Sequence, residues 1–166
     1  MKKLAIVLTL VASIATTAKA DTLFKTGWVT DGDTIRIYTP KEVKVRLAFI
    51  DAPESKQLLG EKSKWYLIGL LKNTGNQVSV VSHGEDRYKR LLGEIYDRNG
   101  KSINIAMVRA GMAYFYRKYC QKNECDYQAY DAAEQEAIAA KRGVWGASEL
   151  TPWDYRHRER EIQKQK

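Results

Sequence analysis

Four carboxylates and three arginines hold most of the chemistry this sequence could perform. Asp31 and Asp33 flank a glycine in "DGDT", Asp51 and Glu54 bracket Ala-Pro in "DAPE", and Arg46 stands five residues ahead of Asp51. Arg87 and Arg90 lie in "DRYKR". Carboxylates gathered in one place repel and raise one another's pKa unless a cation sits among them. Hard oxygen donors with no His or Cys among them suit Ca²⁺ or Mg²⁺ rather than zinc. Phosphodiester hydrolysis needs this mixture. Guanidinium forks bind two phosphate oxygens at once where negative charge accumulates in the transition state. A divalent ion neutralises a phosphate oxygen and organises water. A carboxylate at the edge of the metal site can orient or deprotonate that water.

Each motif alone has a simpler reading. Asp-Gly-Asp between strands suits a tight turn, with Gly32 accepting positive φ and the Asp side chains bonding local N–H groups. In "DAPE", Asp51 as N-cap with Glu54 three residues later matches a capping box, and Pro53 is tolerated in a first helical turn. Against the cap, periodic apolar residues do not resume until past Gly60.

The elements decide whether the motifs can meet. "TLFKTGWVT" reads as a strand, followed by the DGDT turn and then by "TIRIY" and "VKVRLAFI", both with strand alternation. If these last two pair antiparallel, the turn before one and the exit of the other lie at the same end, so Asp31 and Asp33 approach Asp51 and Glu54. "GEKSKWYLIGLLKN" reads as a helix, "QVSVVS" and "LLGEIYD" as strands around the charged loop "HGEDRYKR". "SINIAMVRAG" reads as a short helix capped by Ser102 and stopped by Gly111, and "DYQAYDAAEQEAIAAKRG" as a longer one. The expected fold is α+β, mainly β: a five-stranded OB-type barrel with three packed helices. An open α+β sheet is the fallback.

The 166 residues carry a formal charge of +8 and are 44% apolar, enough for one domain with a real core. Lys2 and Lys3, an apolar stretch, and small residues at Ala18 and Ala20 read as a signal peptide cleaved before Asp21. The apolar part falls short of the ~20 residues of a membrane span. The expected division is a signal peptide over 1–20, the OB-fold domain over 21–155 and a basic tail over 156–166. Without Lys2, Lys3 and Lys19 the charge is +5, and the tail's five basic and two acidic residues supply +3 of it. Such a tail suits a polyanion, or is a solvated, frayed end. Cys120 and Cys125 enclose "QKNE"; in an exported protein a small-loop disulfide is expected, with free thiols or a metal pair as alternatives. His83 and His157 lack triad partners in recognisable spacing and read as surface residues. Trp145 reads as packing the last helix against the barrel.

Taken together, "DGDT", "VRLAFIDAPE", "DRYKR", "NIAMVRAGMAYFY" and "AEQEAIAAKRGVW" resemble, in order and approximate spacing, the thermonuclease family of staphylococcal-nuclease-like secreted nucleases, from about Val29 to Trp145. The resemblance implies catalytic roles for Arg46, Glu54 and Arg90, with Glu54 as general base. It implies Asp33 and Asp51 as ligands of Ca²⁺, with Asp31 a looser match. Arg87, Tyr88 and Tyr119 correspond to substrate-binding positions. Two departures stand out: Ala52 where many members have Thr, and a shorter loop after "DAPE" that removes lysines near the substrate. The implied activity is an exported, calcium-dependent endonuclease acting on DNA and RNA with little sequence preference, leaving 3′-phosphates. A periplasmic or secreted monomer with no stable membrane association after cleavage is expected. The competing reading is a non-catalytic OB domain that binds single strands through basic and aromatic residues.

Overall fold

The computed structural model describes residues 22–121 and 124–165. The expected signal peptide lies outside them. Among the described residues no helix is long and apolar enough to cross a membrane.

Alternating apolar residues build the barrel. β1 (Phe24–Asp31), β2 (Thr34–Tyr38), β3 (Glu42–Leu47), β5 (Gln77–Glu85) and β6 (Leu91–Tyr96) close in the order β1-β2-β3-β6-β5. Ile35 and Ile37 of β2 and Val45 and Leu47 of β3 turn inward and are buried, while the residues between them face out, as the two-residue strand period requires. The closing contact is the parallel pairing of β3 with β6, Val45 opposite Leu91 and Leu47 opposite Gly93. A short β4 (Ile50–Asp51) pairs with β7 (Tyr114–Phe115) outside the barrel.

Helices α1 (Gly60–Asn73), α2 (Ile103–Arg109) and α3 (Tyr127–Ala139) occupy the three expected segments, α2 with the Ser102 hydroxyl accepting from Ile105 N at 3.2 Å. A fourth, α4 (Pro152–Lys164), was not expected. The boundary drawn at 155/156 falls inside it, and residues 156–164 of the basic segment are helical. Its start is well signalled: Thr151 is the N-cap, accepting from Asp154 N at 3.3 Å, with Pro152 in the first turn.

Two further expectations are corrected. "VKVRLAFI" is not one strand, because Phe49 adopts φ 63° and the chain turns out of the barrel between β3 and β4. The capping-box reading of "DAPE" fails as well. Helix α1 begins only at Gly60, and residues 55–59 form turns in which Gln57 N donates to Glu54 O at 2.8 Å and the Gln57 side chain accepts from Glu54 N at 2.8 Å.

Candidate active site

The site forms where β2 starts and β3 ends. Thr34 pairs with Arg46 in the β2–β3 ladder, so Asp33, one residue before Thr34, sits beside the arginine. Gly32 makes the close approach possible: a Cβ there would lie 1.9 Å from Ser63 Oγ and 2.7 Å from Ala52 Cβ. Its role is therefore steric fit against α1 and the chain after β4, not the positive φ expected of a turn glycine, which it does not adopt. Asp33 Oδ2 accepts from Ala52 N at 2.7 Å, fastening the DGDT turn to the end of β4.

Arg46 ties the two acidic motifs together. Its Nη1 is 3.0 Å from Asp33 Oδ2 and donates to Leu47 O at 3.1 Å, and its Nη2 donates to Asp51 Oδ1 at 3.0 Å. Asp51 is only 1% exposed, so these charges are compensated by partners rather than by water. Burial drives the Asp33 carboxyl upward; Arg46 opposes this, Asp31 and Asp51 reinforce it, and the result is a carboxyl pushed up to about 8.

A second guanidinium meets the same acids. Arg156 of α4 donates from Nη2 to Asp51 Oδ2 at 2.7 Å, and from Nη1 to Asp51 Oδ1 at 3.1 Å and Glu54 Oε1 at 2.6 Å. Trp153, one turn earlier, stacks on Tyr116 with ring centres 5.5 Å apart and planes 1° from parallel. It also meets Tyr114 edge-on at 5.4 Å. The segment before α4 is bonded to the Glu54 loop: Gln57 Nε2 donates to Leu150 O at 2.7 Å and Leu58 N to Glu149 Oε1 at 2.5 Å.

The loop between β5 and β6 closes the other side. Asp86 Oδ1 accepts from Tyr88 N at 2.8 Å and Arg90 N at 3.0 Å, and its Oδ2 receives Arg90 Nε at 2.7 Å. Desolvation would raise the Asp86 carboxyl, but the hydrogen bonds from Arg90 and Tyr88 and the Arg90 charge outweigh it and hold the pKa below the ordinary value. The Arg87 and Arg90 guanidinium carbons lie 4.8 and 5.5 Å from the exposed Tyr88 ring centre.

These elements enclose a cleft of about 1030 Å³. Asp33, Arg46, Asp51 and Glu54 meet through direct contacts or the shared Arg156. Arg87, Tyr88, Arg90 and Tyr119 line the same cleft without joining that cluster, Arg90 being paired with Asp86. Asp31 is at the rim, its Oδ1 accepting from Asp33 N at 3.1 Å. Cys120 and Cys125 form a disulfide in the loop that follows Tyr119. His83 is not the free surface residue expected: it lines the cleft, half-buried, with Nε2 3.1 Å from Glu94 Oε2 and its ring against Phe49. Trp145 packs edge-on against Tyr114 at 5.1 Å.

Two residues of the site escaped sequence reasoning. Asp86 left a trace, an acid four residues before Arg90 at a turn. Arg156 left only the helix-start pattern of Thr-Pro-Trp-Asp; nothing in spacing tied it to an acid 105 positions away.

No cluster of three or more His, Cys, Asp or Glu side chains forms a ready metal cage among the described residues. Asp33 and Asp51 nonetheless fit a hard divalent ion, since such ions are often held by one or two carboxylates and complete their shell with water and substrate phosphate.

Comparison with known proteins agrees with this geometry. Residues 44–147 match the model of the family described as "Staphylococcal nuclease homologue". An "Uncharacterized endonuclease" of Escherichia coli O157:H7 is 39% identical over 132 residues, covering 78% of this chain and 82% of that protein. One of Haemophilus influenzae is 36% identical over 135 residues, covering 80% and 71%. A "Micrococcal nuclease" of Shigella flexneri is 34% identical over 138 residues, covering 77% and 76%. With this match, the closed barrel and the acids gathered at the end of β3, the chain belongs to the staphylococcal nuclease homologue family.

Proposed function

We propose that the protein is an exported endonuclease that hydrolyses phosphodiester bonds of DNA and RNA with calcium, little sequence preference and 3′-phosphate products. The observation that carries this is Arg46 bridging Asp33 and Asp51 at 3.0 Å each, beside Glu54 in a cleft rimmed by arginine and tyrosine. The family and the nuclease names of its relatives support the same reading.

Asp33 and Asp51 would hold the calcium ion, which when bound supplies a positive charge for a phosphate oxygen and a place to organise water. Glu54, 37% exposed on its side chain and open to the cleft, accepts a proton from the attacking water. Phosphorus gains the water oxygen and loses its bond to O5′, which takes a proton from solvent, leaving the phosphate on the 3′ side. Arg46 and Arg90 stabilise the charge on the equatorial oxygens. Arg90 is oriented for this by Asp86, which takes its Nε and Nη2 and leaves the rest of the fork for substrate. Tyr88 and Tyr119, both exposed at the cleft, offer faces on which bases stack.

The test is to express the full chain, recover the protein from periplasm and medium, and assay plasmid DNA and RNA with Ca²⁺, Mg²⁺ or a chelator. Glu54→Gln should lower turnover by about 10²–10⁴-fold with folding unchanged. N-terminal sequencing should begin at Asp21, and elution on a sizing column should correspond to a monomer. Nucleic-acid binding without cleavage under every metal would favour the non-catalytic OB domain instead.

A further inference from the structure

Arg156 of α4 lines the cleft and meets two of its acids, yet the proposed chemistry leaves it unused. Glu54 lies in the turns between β4 and α1, outside any regular element, and among the described residues it is Arg156 that bonds its carboxylate. The same Nη1 reaches Asp51 Oδ1, and Nη2 takes Asp51 Oδ2. One planar fork therefore spans two acids three positions apart and fixes where the second points relative to the buried first.

Three of the five N–H donors of Arg156 are thus committed to carboxylates. A guanidinium so engaged acts through its acids rather than primarily on a phosphate. Its own placement is firm. The Trp153 ring clamps the first turn of α4 onto Tyr116, Pro152 is buried, and Glu149 and Leu150 are bonded to the loop that carries Glu54. Arg156 follows Trp153 by three residues, so both side chains leave the same face of the helix. Helix and loop form one unit whose product is the Arg156–Glu54 contact.

We propose that Arg156 is a positioning residue for the nuclease reaction: it holds Glu54 in line with Asp51, which makes α4 a working part of the active site. This inference rests on the nuclease reading above. It predicts a loss carried by kcat. A small displacement of a reacting group can cost about 10²-fold in rate, so Arg156→Ala should lower kcat by about that factor while KM stays within about threefold. Affinity for a short single-stranded oligodeoxynucleotide, measured with chelator present, should likewise stay within about threefold, because Glu54 does not bind substrate.

The experiment compares wild type, Arg156→Ala, Arg156→Lys and Arg158→Ala, the last removing an equal charge from an exposed position on the same helix. Near-UV circular dichroism of the Trp153–Tyr116 stack reports whether α4 stays docked. Guanidinium ion at millimolar concentration should restore part of the Arg156→Ala rate and none of the rate of Glu54→Gln. Arg156→Lys, which places one donor instead of a fork, should fall between wild type and Arg156→Ala. Arg158→Ala should match wild type. A rate in Arg156→Ala equal to or above that of wild type overturns the proposal, the latter marking Arg156 as a latch that obstructs the acids. Equal losses in kcat and in oligonucleotide affinity would overturn it in favour of direct substrate binding. Should Arg156→Ala undock the helix, Arg156→Lys decides: wild-type kcat with α4 docked overturns the proposal. An inactive wild type would instead bring down the nuclease reading, and this inference with it.

Discussion

At the scale of single residues, the site rewards shape over charge. Arg46 makes three contacts in three directions, to Asp33, Leu47 O and Asp51, and a lysine ammonium on a flexible stem cannot span them. Arg46→Lys keeps the formal charge yet should lower kcat by about 10²-fold or more, the scale of losing one preorganised donor. Steady-state cleavage of plasmid DNA checks this, and a rate within about threefold of wild type would show that the bidentate fork is dispensable. Asp31, Asp33, Asp51 and Glu54 could be grouped from the sequence because their two motifs lie at the same end of a strand pair, whereas the choice of Asp33 and Asp51 among them came from the family resemblance. Arg156 could not, because its contacts arise from tertiary docking of α4 and have no local period.

Elements were legible to the degree that they obey local rules. The two-residue alternation of "TIRIY" and the apolar spacing of "GEKSKWYLIGLLKN" gave β2 and α1 their observed bounds. The alternation in "VKVRLAFI" continues past the point where Phe49 takes φ 63°, a turn demanded by the site and hidden from periodicity. Asp86 works at this same scale, organising the whole β5–β6 turn. Asp86→Asn retains an oxygen for the backbone N–H groups of Tyr88 and Arg90 but loses the charged grip on the Arg90 side chain. It should lower kcat by about tenfold at a stability cost on the order of 1 kcal/mol. The pH dependence follows from the depressed carboxyl of Asp86. Its contribution is fully present above the unfolded value near about 3.9 and is lost as pH falls through the lower folded value. Melting temperatures of wild type and Asp86→Asn should therefore differ at neutral pH and converge below pH ~4. A constant difference down to pH ~2 would show that the carboxylate charge is not what holds the turn.

On the scale of the whole molecule, the candidate active site is a by-product of how the barrel is closed. β3 and β6 meet in parallel, and Gly93 permits it: a Cβ there would lie 2.9 Å from Cγ1 of both Val45 and Val80. Where β3 leaves the barrel, a buried side chain replaces the missing ladder. Asn104 of α2 donates from Nδ2 to Ala48 O at 2.9 Å and Gly93 O at 3.2 Å, and its Oδ1 accepts from Ile95 N at 3.1 Å. The residue it holds, Ala48, directly precedes the turn at Phe49 that delivers Asp51. Asn104→Ala would strip Ala48 O and Ile95 N of these partners, and Gly93 O would keep its bond from Ala48 N at 2.8 Å. At about 1–3 kcal/mol for each of these two orphaned buried groups, the loss should be about 2–6 kcal/mol by urea unfolding. Asn104→Asp is the sharper test, because an ionised carboxylate faces two carbonyls with no proton to offer. The folded state then favours the protonated acid and raises its pKa, so the deficit should be small below pH ~4 and grow as pH rises. Because the damage lies at Ala48, activity should fall with it even where the variant remains fully folded, coupling barrel closure to the placement of Asp51. Full kcat in a folded Asn104→Asp at neutral pH would separate the two and show that the chain from Phe49 to Asp51 is held independently of α2.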